Sequence, residues 1–185
     1  WSGADAVVAP RSRHTATLLP SGKVLVTGGQ VVSPELFDLG TGEWSVTGSM
    51  STGRSGHTST LLPSSKVVVA GGTFGGEPVP SAEVYDPAAR GWSATGAMIT
   101  ARAGHTGLLL NSGMVLVAGG TSSAGPIASA ELYDPATVSW TATGSMATAR
   151  DTPTATLLLS GNVLVVGGSN ASGALDSAEL YDPGT

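Results

Sequence analysis

The chain has 185 residues, 41% hydrophobic and only 11% charged, with a net charge of −5 and no Cys. This apolar content speaks against a disordered chain, and the acidic balance, with no cluster of Lys or Arg, excludes a nucleic-acid footprint and a polybasic membrane contact. Without Cys there is no disulfide, thiolate metal site or Cys nucleophile.

No apolar run approaches the ~18 residues of a membrane helix, and 27 Gly with 11 Pro point to many turns. The first residue is Trp rather than Met, as expected of a mature or trimmed piece whose targeting sequence is missing. Low Lys with abundant Ser, Thr and Gly suits a bacterial protein of extracellular or periplasmic location.

Read along the chain, the sequence repeats. Units open at Trp1, Trp44, Trp92 and Trp140, and an Arg follows each Trp by ten residues: Arg11, Arg54, Arg102 and Arg150. Gly-Gly pairs then begin at Gly28, Gly71, Gly119 and Gly167, and the aromatics Phe37, Tyr85, Tyr133 and Tyr181 come next. A Glu stands two before each aromatic and an Asp one after it. The period is 48, shortened to 43 in the first unit by a loop deletion. Such self-similarity indicates one domain over residues 1–185, built from tandem units.

Each unit predicts four short strands. "HTATLL" alternates before turning apolar. "PSGK" or "NSGM" is a hairpin turn. "VLVTGG" is continuously apolar and β-branched, as in a central strand buried on both faces. "AELYD" is the third strand, "DPAT" a turn with Pro at its second position, and "WSVTG" the fourth strand. No segment has a helical period. Four-stranded units in tandem predict an all-β propeller of four blades.

In its Gly-Gly pair after an apolar strand, its Tyr-Asp-Pro, its Trp seven residues after the aromatic and its "M-x-x-x-R" step, as at Met50 to Arg54, the chain resembles the kelch family throughout its length. The resemblance implies a β-propeller with "HTATLL"-type strands innermost and Trp strands outermost. It implies no single function, since such propellers serve as binding modules, scaffolds and occasionally enzymes. The last unit stops at "SAELYDPGT", before its Trp. The strand from Trp1 is therefore expected to complete the last blade, removing an exposed edge. Two other readings stay open: a homodimer in which each chain completes its neighbour's ring, and a piece of a longer propeller.

Candidate functional groups are few. The repeat Glu and Arg are expected to pair and tie strands or blades together; the alternative is a ring of Arg binding anions at the channel mouth. His14, His57 and His105 share one repeat position, replaced by Pro153 in the fourth unit. A metal held by these histidines is the alternative; the expectation is no metal and no cofactor. The Gly-Gly pairs are expected to serve close backbone approach or positive φ. No G-x-S-x-G, HExxH or phosphate-loop motif is present, and the copper site of some kelch-like sugar oxidases needs a Cys.

The leading functional expectation is a non-enzymatic binding or scaffold module for a protein or glycan. The alternatives are a carbohydrate-active enzyme using Arg and His at the channel mouth, and a lectin. The loops after the Gly-Gly pairs escape the repeat and carry Phe74, Glu77 and Asp176, the expected binding face. Arg13, His14, Arg54, His57 and His105, at the channel mouth, are the second group of candidates.

Overall fold

The computed structural model describes residues 5–185, and all its regular elements are strands. The expected strand from Trp1 lies outside the described residues. Blade 1 comprises β1 (His14–Leu18), β2 (Val24–Gly28), β3 (Glu35–Asp38) and β4 (Glu43–Val46), antiparallel and in that order across the sheet. Blade 2 has its four long strands in β5 (Thr58–Leu61), β6 (Val67–Ala70), β9 (Ala82–Asp86) and β10 (Gly91–Ala94), with a hairpin of β7 (Thr73–Phe74) and β8 (Glu77–Pro78) between β6 and β9. Blade 3 repeats this with β11 (Thr106–Leu109), β12 (Val115–Ala118), hairpin β13 (Thr121–Ser122) and β14 (Gly125–Pro126), β15 (Ala130–Asp134) and β16 (Ser139–Thr143). Blade 4 has β17 (Thr154–Leu157), β18 (Val163–Val166), hairpin β19 (Ser169–Asn170) and β20 (Gly173–Ala174), and β21 (Ala178–Tyr181). Its sheet has three strands among the described residues, in the order β17-β18-β21. The four sheets are arranged as a four-bladed β-propeller.

The small hairpins explain the irregular period. In blades 2, 3 and 4 the loop after the Gly-Gly pair folds back as two short paired segments, turning through Gly75 and Gly76, Gly125, or Gly173, all at positive φ. Blade 1 has no such hairpin, and its unit is the short one.

Strand alternation assigns each blade two apolar faces. In blade 3, Val115 and Val117 join Val68, Ala70 and Ala82 of blade 2 in one cluster, while Leu116, Ala118 and Ala130 meet Val163 and Val165 of blade 4 in another. Leu25 and Leu36 meet Val67 and Val69 in the same way between blades 1 and 2. In blades 2 and 3 the central strand is thus buried on both sides because a blade lies on each. The register sets Phe37 opposite Trp44, Tyr85 opposite Trp92 and Tyr133 opposite Trp140. Their rings meet at centroid distances of 5.0–5.1 Å, tilted by 41–45°, a favourable geometry for aromatic pairs.

Polar bonds cross each junction at the rim. The Tyr85 hydroxyl shares a 2.7 Å hydrogen bond with Thr47 of the preceding blade, Tyr133 does so with Thr95, and Tyr181 with Thr143 at 2.9 Å. Trp140 Nε1 donates to Gly96 O, and Trp44 Nε1 to Asp5 O, each at 2.8 Å. Among the described residues, no hydrogen bond and no hydrophobic cluster joins blade 4 to blade 1.

Candidate binding site

The repeat Arg and Glu form four ion pairs: Arg11–Glu35, Arg54–Glu83, Arg102–Glu131 and Arg150–Glu179. Each Arg sits on the segment entering its blade. Arg102 donates to Glu131 Oε1 at 2.7 Å and to the carbonyls of Gly119 and Ser129. The same carboxylate accepts the backbone N–H groups of Ile99 and Thr100, so it grips the whole incoming segment. Meanwhile the Arg102 carbonyl accepts the N–H of Gly72 in the preceding blade. One residue thereby fastens two blades.

Burial opposes ionisation of Glu35. The Arg11 hydrogen bond, the Val8 and Ala9 N–H groups and the Arg11 charge outweigh it and hold the carboxyl below its usual range. Glu179 follows the same logic with Ala147, Arg150 and Thr148. Burial lowers the pKa of Arg102, against the raising effect of Glu131.

Two of the three repeat histidines, His57 and His105, also face into the blade junctions. His57 Nε2 lies 2.9 Å from Thr15 Oγ1 and 3.0 Å from Thr27 Oγ1, both in blade 1; His105 Nε2 lies 2.9 Å from Thr58 Oγ1 in blade 2. Both rings are buried, and His14 is exposed. Burial first, then Arg54 and His14, pushes His57 down to about 3; burial, Arg102 and His57 do the same to His105. Among the described residues, no group of three His, Asp or Glu side chains is placed to hold a metal ion.

The Gly-Gly pairs have both expected properties. Gly71 has φ of +65°, and a Cβ there would lie 2.6 Å from the Arg102 carbonyl. A Cβ on Gly119 would lie 2.6 Å from the Arg150 carbonyl. The next blade is packed directly on this glycine.

Two residues beyond each repeat Arg, the segments meet in a chain of backbone bonds. Gly56 N donates to Arg13 O, Gly104 N to Gly56 O, and Thr152 N to Gly104 O. All four residues have positive φ, between 49° and 64°. Glycine suits this geometry, but Arg13 and Thr152 are held in it too, Thr152 being β-branched and hence unusual there. They border a depression of about 640 Å³, also lined by Ser55, Glu77, Ser122 and Asp151. Ser55, Ala103 and Asp151 bridge to Thr73, Thr121 and Ser169 at the bases of the three hairpins.

This geometry sorts the sequence candidates. Arg13 and Glu77, expected on two different surfaces, line one depression. Phe74 is 57% exposed on the hairpin strand paired with Glu77. Asp176 and His14 are exposed and do not line the depression. Arg54, His57 and His105 are buried in the junctions. Asp151 and Thr152 do line it. Their signal in the sequence was "ARDTPT", where the fourth unit departs from the "R-x-G-H-T" of the second and third.

No protein-family model and no curated protein matches the chain. The fold is that of a β-propeller, and the kelch likeness is one of motifs.

Proposed function

We infer that the chain is a binding or scaffold module whose ligand, a protein or a glycan, seats in the depression lined by the hairpins of blades 2 and 3 and by the Arg13, Gly56, Gly104, Thr152 segments. One observation carries this reading. The repeat Arg and Glu side chains are engaged in fastening each entering segment to its blade, and His57 and His105 in bonding the preceding blade, while Arg13, Glu77 and Asp151, charged groups of both signs, line the depression on a framework of hydrogen-bonded backbone. Strained backbone at Arg13 and Thr152 points the same way, because such conformations cluster at functional sites. The hairpins around it vary in sequence while the strands hardly do, and loops on a rigid scaffold are where binding concentrates.

A glycan array and a sugar-conversion screen on the same protein test the reading. Binding that the triple variant Arg13→Ala, Glu77→Ala, Asp151→Ala abolishes, without loss of stability, is expected. Catalytic turnover of a sugar, or binding unaffected by the triple change, would sink it.

A further inference from the structure

We propose that two copies of this chain join head to tail, the trailing face of blade 4 in each receiving the leading face of blade 1 of the other, with the segment from Trp1 of each copy as the occupant of the open edge of the other's last sheet.

The trailing face of blade 4 is built like those of the other blades, with nothing packed on it among the described residues. Ala70 and Ala118, at one repeat position, are 3% and 2% exposed, while Val166 at the same position is 40% exposed. Leu36 is 6% exposed and its equivalent Leu180 57%. The Cβ positions of Gly71 and Gly119 press on the next blade's Arg carbonyl, but that of Gly167 has only Leu175 O, at 3.5 Å. Thr58 bonds the next blade's histidine, whereas its equivalent Thr154 reaches only the Val166 carbonyl, at 3.5 Å.

The leading face of blade 1 is its complement. Leu18 is 64% exposed, while its equivalents Leu61, Leu109 and Leu157 pack against the preceding blade's cluster. His14, equivalent to the histidines that bond Thr15 and Thr58, is exposed. Repeat arrays that end in solvent cap themselves with a polar outer face. Both ends here are apolar, and each matches the surface the other would meet at an internal junction.

A cavity of about 280 Å³ marks the seam. It lies beside β21 and is lined by Thr143, Gly144, Met146, Glu179 and Tyr181, among others. Its position is that of an indole. In blade 3 Trp140 packs on Tyr133 and donates to Gly96 O. Here Tyr181 and Gly144 hold the equivalent places, and a Cβ built on Gly144 meets nothing within 4 Å, against 2.5 Å to a carbonyl at Gly96. The sequence supplies a repeat Trp with no aromatic before it, Trp1. Edge pairing along β21 with an indole anchor is the recognition mode such a surface fits.

The second copy is preferred to the chain's own N-terminus by the geometry of the junctions. The three junctions repeat the same contacts, but blade 4 does not make them with blade 1: His14 is exposed, and Thr154 reaches only Val166 O. The backbone chain Arg13, Gly56, Gly104, Thr152 likewise ends without a return bond to Arg13 among the described residues. Two copies related by a twofold axis supply eight blades, within the range of known propellers.

Light scattering across a concentration series reads the outcome. A species of twice 18.2 kDa is expected. Val166→Glu, on a face exposed in the single chain, should return it to monomer with the fold intact by circular dichroism. Trp1→Ala should weaken the dimer by about tenfold or more, as expected for a buried aromatic anchor. A protein of 18.2 kDa at every concentration overturns the proposal, as does a dimer that Val166→Glu leaves intact. If that monomer lost thermal stability with Trp1→Ala, the cavity would belong to the chain's own N-terminus. If it instead bound a synthetic peptide of residues 137–146, the cavity would belong to a strand outside these residues.

Discussion

His57 Nε2 lies 2.9 Å from Thr15 Oγ1, across the junction of the first two blades. A neutral imidazole shares this bond at little cost, but a charged one would sit in a buried junction beside Arg54. Its pKa is accordingly about 3, as is that of His105. In the unfolded chain both titrate near 6.5, so between pH 6.5 and about 3 the unfolded state binds more protons. Stability is therefore complete well above pH 6.5 and falls as pH drops, with a slope for each histidine that rises through pH 6.5 toward about 1.4 kcal/mol per pH unit. Denaturant titrations between pH 6.5 and 5, above the carboxylate range, should show this slope. His57→Gln should roughly halve it, and an unchanged slope would mean that the ring is not buried neutral.

The buried ion pairs should be far more sensitive than the surface ones. Arg102→Met leaves Glu131 charged and buried, with an expected loss of about 3–5 kcal/mol. Lys66 and Asp86 also pair, at 3.0 Å, but with side chains 47% and 33% exposed. Lys66→Ala should leave the denaturation midpoint nearly where it was. Equal effects of the two changes would contradict the assignment of Arg102 to holding the blades together.

Gly22 and Gly71 separate backbone strain from blade packing. Both have positive φ, +82° and +65°, but a Cβ on Gly22 meets nothing within 4 Å. Gly22→Ala should cost about 1–2 kcal/mol, from the left-handed conformation alone. Gly71→Ala adds a collision with the Arg102 carbonyl and should cost distinctly more. Matching melting temperatures for the two variants would show that the blades can slide apart at no expense.

Arg13 is held at φ of +53° at the depression. Arg13→Gly should raise stability by up to about 1 kcal/mol by relieving that conformation. The same change should weaken whatever ligand the array identifies. A variant more stable and equally able to bind would leave Arg13 with no part in recognition.

The sequence by itself determined the units, their strands and the pairing of the repeat Glu with the repeat Arg, because these depend on local alternation and on one repeated unit. That the Gly-Gly pairs serve close approach or positive φ was legible for the same reason; that they do both came with the packed blades. The register that sets Trp92 opposite Tyr85 came with the sheet. What the tertiary structure decided involves residues from different blades, whose proximity depends on the rotation between blades and not on any spacing within one. That rotation turns His57 and His105 into the preceding blade rather than toward a common axis. It also brings Arg13, Glu77 and Asp151 to one depression. The hairpins after the Gly-Gly pairs escaped the sequence reading because two-residue strands leave no periodicity to read. The exposure of Val166, in a segment as apolar as its buried counterparts, is likewise fixed only by whether a blade lies beside it.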